Sequence, residues 1–394
     1  MVIRQNKGEW SELYAFIRLL KEGKIYAADE SVNKIDNIFF PILRILRKEN
    51  EDQCFDYVTG PIIRIYRNGK EVNTVSVEKI KKNADILFAK IFSGTESGEK
   101  GAFEIPELSD FLSDMNISKV KAPSVDKVDI TMQVHDIKTG YEPVLGFSVK
   151  SDVGSPPTLL NSGMNTRFRY EIHGITDSDM NAINAIDKSV TREYMKERMS
   201  ELFNRASSVE YHSMLDQTYE DNLFLIDSML PQIYANFILL HFKTMNFKHM
   251  DCRNTCSVLD QINPLNHRKK NIYTYKIKKL LCASALGMTP GKEWNGVEAA
   301  TGGYLIVKRD GEVLCYHLYN RNFFEDYLLN NTVIDRPSAS RHKYGSIFKE
   351  EKRFFIDLNI QIRFKSISAG LRNRVNDSYA VGEVIEYIKN HNNI

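Results

Sequence analysis

"KVDITMQVHDIKTGYEPVLGFSVKS", residues 127 to 151, decides how this chain is read. Its first ten residues alternate apolar and polar side chains, the period of a half-buried strand. "IKTGYEP" then turns, and the run from Val144 returns, so an antiparallel pair is expected. Residues two apart on a strand share a face. Ser148 and Lys150 therefore stand together, Val149 points to the core, and Asp129 lies near the outer end of the first strand. A charged ammonium ends a segment that otherwise reads as buried.

A carboxylate beside a lysine at the mouth of a sheet suits hydrolysis of a phosphodiester. Carboxylate oxygens hold Mg²⁺, and the cation takes up charge on the phosphate. The lysine positions or deprotonates the attacking water and offsets the growing negative charge. One carboxylate is too few for a stable Mg²⁺ site, and Ser148 occupies the place where a second acid would serve. Glu9 and Glu12 lie one helical turn apart near the N-terminus and can supply it. Glu142 and Glu171 are further alternatives. Spacing alone is also met by a lysine that leaves a strand end and pairs with any surface acid, because the pattern Asp…Ser-x-Lys is loose.

Outward from this pair, Trp10, Leu13, Tyr14, Ile17 and Leu20 form one apolar helical stripe that Gly23 stops. A second helix is predicted over residues 35 to 48, with "FFPIL" bending it. Residues 60 to 77 have the pattern of a hairpin about Asn68-Gly69. A helix is predicted from 77 to 92 and an exposed loop from 93 to 101. "RFRYEIHG" (167 to 174) reads as a strand, and helices are expected between 178 and 248. "GGYLIVKRDGEVLCYHLY" has a hairpin turn at Asp310-Gly311, and "RFFIDLNIQIRF" reads as one alternating strand. The mix implies an α+β fold in two parts. Residues 1–245 would hold the N-terminal helix and the central strands, and 246–394 a basic segment and a β-rich part.

The 394 residues, 42% hydrophobic and 26% charged, allow two to three ordinary globular units. Net charge is only +2, so a nucleic-acid site must come from local clustering of bases. No apolar run approaches the ~20 residues that cross a bilayer, and the first residues lack a signal-peptide core. Five cysteines, an odd number, do not make a disulfide framework and point to a reduced, cytoplasmic setting. His249, Cys252, Cys256 and His267 invite a zinc reading. Their Cys-x₃-Cys spacing fits one turn of helix, no second tight pair closes the site, and buried thiols are favoured. "GKEWNGVEAATGG" has glycines but no P-loop lysine.

Several segments in order carry a resemblance. "NKGEWSELYAFIRLL", "YAADE", "KVDI", "HDIKTG", "LGFSVKSDVGSPPTLLN" and the late "YHLYNRNFFEDYLLNNT…RPSASRHKYGSIFKE" together resemble the HpaII-like type II restriction endonucleases, from about residue 6 to 365. The resemblance implies a PD-(D/E)xK nuclease core, flanking helices and cleavage of duplex DNA at CCGG with Mg²⁺. By it, Asp129 fills the metal-binding aspartate position and Lys150 the lysine of the final motif. Ser148 departs from the usual acid. Some restriction enzymes of this fold share the S-x-K form and recruit the missing acid from a helix, which agrees with Glu12 or Glu9. A cognate cytosine methyltransferase is implied as the functional partner.

A palindrome has a two-fold axis, which a homodimer answers with one active site per strand. Reading G·C pairs calls for Arg or Lys at guanine O6 and N7 and for an acidic acceptor at the cytosine amino group. "DRPSASRHKYGS" (335 to 346) is the richest stretch, with Arg336, Arg341 for a base edge, His342, and Lys343 or Ser340 for phosphate. Arg321 in "LYNRNFFEDY" is a second candidate, and residues 266 to 279 a backbone-contacting face. Asn161 and Asn165 are placed near the minor groove. The rival readings are a DNA-binding protein that does not cut, which Ser148 favours, and a repair or junction nuclease.

Overall fold

A computed structural model describes residues 3–29, 32–93, 101–120, 127–154, 156–189, 191, 193–247, 250–316, 321–365 and 377–390. The described chain is mixed α+β. It divides into two compact units. One comprises Met1–Pro157, Ala285–Gly287 and Glu298–Phe324, the other Thr158–Ser284, Met288–Val297 and Glu325–Ile394. The expected division at 245/246 does not coincide with this one. The strand Gly303–Val307 lies parallel to the strand Val144–Ser151, which returns a late segment to the first unit. Parallel strands need a long crossover, so a parallel sheet gathers distant stretches of chain.

The first unit is built on a nine-stranded sheet. Its order begins Lys24–Ala28, Val313–Tyr316, Gly303–Val307, Val144–Ser151 and Ile130–Val134. It continues Lys34–Asn50, Gln53–Val58, Ile62–Arg67 and Lys70–Ser76. The helix Lys7–Glu22 shares one core with the sheet and with the helix Val77–Ser93. Trp10, Leu13, Tyr14, Ile17 and Leu20 are all buried, as their spacing predicts. The Phe16 ring meets Tyr57 edge-on at 4.9 Å. The Tyr14 hydroxyl donates to the Gly311 carbonyl at 2.6 Å. Gly311 has φ +83°, and a Cβ there would stand 2.9 Å from that hydroxyl, so the expected Asp310-Gly311 turn needs its glycine. Asn68 and Gly69 are both left-handed, with φ 50° and 76°, as a two-residue hairpin turn requires.

The helix expected over residues 35 to 48 is instead the strand Lys34–Asn50. Phe40 and Ile42 are buried, then Ile45, Arg47 and Glu49. The period is two on both sides of a register shift between Ile42 and Arg44. That bulge places one spacing of three in the apolar pattern, and a spacing of three imitates a helix. Arg47 and Glu49 form a buried ion pair, 2.5 Å apart. Glu49 also accepts from the backbone N–H groups of Ser118 and Lys119.

In the second unit the strands Ser208–Met214, Phe168–His173, Arg353–Leu358 and Ile347–Glu350 form one antiparallel sheet. Thr158–Leu160, Gln361–Phe364 and Thr332–Asp335 form another. "RFFIDLNIQIRF" is thus two strands in different sheets. Asn359 is the break, donating to the Gly163 carbonyl and accepting from Thr166 Oγ1. Among the helices expected between 178 and 248 stands the strand Ser208–Met214. The part beyond 246, expected to be β-rich, also carries the helices Cys252–Ile262, Ile272–Leu286, Arg321–Asn330 and Asp377–Asn390. Of the loop expected at 93 to 101, residues 94–100 lie outside the described residues, as does His249. Among the described residues, no single helix is long and apolar enough to cross a membrane.

Candidate active site

The expected antiparallel pair is present as Ile130–Val134 against Val144–Ser151, with Ile130 opposite Phe147. Gly303–Val307 flanks the second strand on its other edge. Phe147 and Val149 face the apolar core, and Ser148 is 1% exposed. Asp129 precedes the first strand, and its N–H donates to the Phe147 carbonyl at 2.8 Å. Its Oδ2 accepts from the Val149 N–H at 2.7 Å and from Ser148 Oγ at 3.1 Å. Ser148 Oγ in turn accepts from Lys150 Nζ at 3.0 Å. The hydroxyl thus joins a carboxylate to an ammonium. A serine at this position keeps the two opposite charges adjacent without adding a second negative charge.

Two neighbours of Lys150 were not singled out in the sequence. Lys150 Nζ sits 5.1 Å from the centre of the buried Tyr304 ring, which faces Ser148 across the parallel register. Such a ring favours the charged ammonium. Tyr304 lies more than 150 residues downstream, and no local pattern signals its arrival. Lys127 lies two residues before Asp129 with φ 62°. Burial, and then the charge of Lys150, push its pKa down to about 7. Its place in the quoted stretch was visible; its approach to Lys150 was not.

Glu12 and Asp129 line one cavity of about 300 Å³, together with Phe16, Ile45, Lys48 and Thr131. Glu9 is placed differently. It is the third residue of the helix, where its Oε2 accepts from the Asn6 N–H at 3.1 Å and its own N–H donates to Asn6 Oδ1 at 3.0 Å. That reciprocal cap occupies the carboxylate locally. Glu142 is exposed and pairs with His135 at 3.1 Å. Glu171 belongs to the second unit and pairs with Arg353 at 3.2 Å.

The model of the HpaII restriction endonuclease family matches residues 6–364. The chain belongs to that family. It is also 41% identical, over 366 residues, to the type II restriction enzyme HpaII of Haemophilus parainfluenzae, covering 91% of this chain and 98% of that one. No solved structure matches it. As a member of the HpaII restriction endonuclease family, the chain is a site-specific endonuclease, a hydrolase whose substrate is DNA.

The second unit holds the larger share of the residues expected to contact that DNA. Ser340 and Lys343 line a cavity of about 710 Å³, together with Arg167, Arg169, Lys188 and Arg198. Ser340 belongs to the short helix Ala339–His342, which left-handed Lys343 ends, with φ 49°. Arg336 and Arg341 are exposed and are not among the cavity's lining residues. Burial, and then Arg341, hold the His342 imidazole below its usual pKa. Asn161 is exposed, and Asn165 sits in the single turn Met164–Thr166. Both are outside that cavity's lining.

Arg321, in the first unit, is ion-paired with Glu298. Three lysines of the 266–279 segment are paired as well: Lys276 with Asp227, Lys278 with Asp326, Lys279 with Glu325. Tyr273 and Ile277 are fully buried, whereas Arg268, Lys269 and Lys270 are exposed, so the segment divides between packing and a basic surface. Burial pushes the Cys252 thiol up to about 12 and holds the Cys256 thiol well above its usual value, as for packed, protonated thiols.

Proposed function

We propose that this chain is a Mg²⁺-dependent type II restriction endonuclease with a PD-(D/E)xK core, cutting duplex DNA at CCGG as a homodimer. The observation that carries the reading is the hydrogen-bonded chain Asp129–Ser148–Lys150 on adjoining strands, with Glu12 and Asp129 opening on one cavity. The family membership and the name of the Haemophilus relative support the substrate class. Among the described residues no group of three or more His, Cys, Asp and Glu gathers as a complete metal cage. The two carboxylates still suit Mg²⁺, which takes hard oxygens, keeps several waters, and is commonly held by one or two protein carboxylates. Bound there, the cation would supply positive charge to the scissile phosphate and acidify water.

The chain's own groups then have distinct tasks. Asp129 and Glu12 hold the cation, with Glu9 serving the helix cap. Lys150 orients the attacking water and offsets the charge that develops on the phosphate. Ser148 fixes the ammonium relative to the Asp129 carboxylate. Basic and polar residues of the second unit, Ser340 and Lys343 among them, contact the DNA. A cytosine methyltransferase of the same system would protect the host's own sites.

Incubation of a plasmid of known sequence with enzyme and Mg²⁺ tests this. Fragments ending at every CCGG, and none in EDTA, are expected; fragments that map to no common sequence would overturn the reading. Ser148→Ala removes two hydrogen bonds, to Asp129 and from Lys150, and the loss of even one such charged bond, about 1.5 kcal/mol, is roughly tenfold in rate. Single-turnover cleavage should slow accordingly with DNA affinity unchanged. An unaltered rate would take Ser148 out of the mechanism.

A further inference from the structure

Arg167 and Arg169 stand two apart, entering and within the strand Phe168–His173, and one buried carboxylate splints both. Asp357 Oδ1 accepts from Arg169 Nε at 3.0 Å, and its Oδ2 accepts from Arg167 Nη1 at 3.4 Å. Arg169 and Asp357 are directly opposed in the sheet register. Arg169 Nη1 also donates to Glu350 at 3.0 Å, and its guanidinium lies 4.8 Å over the Phe348 ring. Arg167 Nε donates to the Met164 carbonyl and its Nη1 to the Lys343 carbonyl, at 3.0 and 3.1 Å. Both side chains are about four-fifths buried, and both line the 710 Å³ cavity. In each, Nε and Nη1 are engaged, and none of the described residues accepts from Nη2. Arg198, on the same cavity, differs: all three of its guanidinium nitrogens are bonded to the chain.

We infer that Arg167 and Arg169 are the guanine readers of this enzyme, each presenting its Nη2 donors to the major-groove edge of one guanine. The inference rests on the reading that the substrate is CCGG. Guanine offers two acceptors there, O6 and N7, and the two N–H groups of an unengaged Nη2 can donate to that edge. A phosphate is a poorer occupant. Asp357 and Glu350 already balance the two positive charges, so the pair has little net charge to offer an anion, whereas a base edge is neutral and selects donor geometry. The guanidiniums are also held by carboxylates and a ring before any ligand arrives, which lowers the entropic cost of binding. The stoichiometry agrees. Two readers per chain serve the two adjacent guanines of one half-site, and a homodimer supplies four for the four guanines of the duplex.

The test measures binding, with Ca²⁺ in place of Mg²⁺, to a CCGG duplex and to the same duplex with single guanines replaced by 7-deazaguanine, which lacks the N7 acceptor. For the unaltered enzyme, at least one replacement should weaken binding about tenfold. In Arg169→Ala or Arg167→Ala, one of those penalties should disappear, while affinity for an unrelated duplex stays the same. Arg169→Lys and Arg167→Lys carry the same comparison where an alanine variant does not fold. Penalties of equal size in variant and unaltered enzyme would overturn the inference. So would an equal loss on cognate and unrelated DNA with a shallower salt dependence, the signature of a phosphate contact. A fragment map lacking adjacent G·C pairs would remove the CCGG reading itself; a CCGG map with additive penalties would remove only the reader assignment.

Discussion

Lys150→Ala is expected to lower single-turnover cleavage on the order of 10³-fold, about 4 kcal/mol of barrier, while binding to cognate DNA in Ca²⁺ persists. The expectation follows from where the ammonium is held. Ser148 Oγ fixes it at 3.0 Å and the Tyr304 ring covers it at 5.1 Å, beside the Asp129 carboxylate. A charge already positioned when the phosphate acquires negative charge needs no reorganisation at that moment. Lys127 is close enough for the two charges to repel, yet it sits on a different backbone segment and does not take the place of Lys150 on Ser148. Cleavage retained within tenfold would show that the strand-end lysine only packs there.

Glu12→Gln and Glu9→Gln should separate just as sharply. Glu12 shares a cavity with Asp129, so removing its charge should raise the Mg²⁺ concentration needed for cleavage and lower the saturated rate, together by roughly 10²–10³-fold. Glu9 closes the cap of the helix Lys7–Glu22, and glutamine can serve the same capping role, so its variant should cut normally and melt within a few degrees of the unaltered protein. Titration of Mg²⁺ in a cleavage assay decides between them. Two variants with equal losses, or a silent Glu12→Gln, would leave Asp129 without its proposed partner.

Which parts of this molecule could be read from sequence depends on whether the signal was local. The apolar stripe from Trp10 to Leu20, the Asn68-Gly69 turn and the strand pair around Asp129 and Lys150 are each written within a few residues of themselves, and the fold contains all three. The segment 34–50 was misread because a bulge between Ile42 and Arg44 changes the phase of an otherwise strict alternation. A window that averages over the bulge sees helical spacing. "RFFIDLNIQIRF" was misread for the opposite reason. Its alternation continues through Asn359, where the chain leaves one sheet for another. The strand "RFRYEIHG" was legible, but its arginines were not singled out, because their splint, Asp357, lies nearly two hundred residues away.

By itself, then, the sequence determined the elements whose energetics are nearest-neighbour: amphipathic helices, tight turns, the Asp129 and Ser148-x-Lys150 strands, and through their order the family. Tertiary structure alone decided which carboxylate shares a cavity with Asp129, which ring covers Lys150 and which acid holds two arginines in place. Those choices depend on the parallel pairing of Val144–Ser151 with Gly303–Val307 and on the sheet of the second unit. Such pairings join residues distant in sequence, and their free energy comes from burial and register across the whole sheet, which no local pattern records.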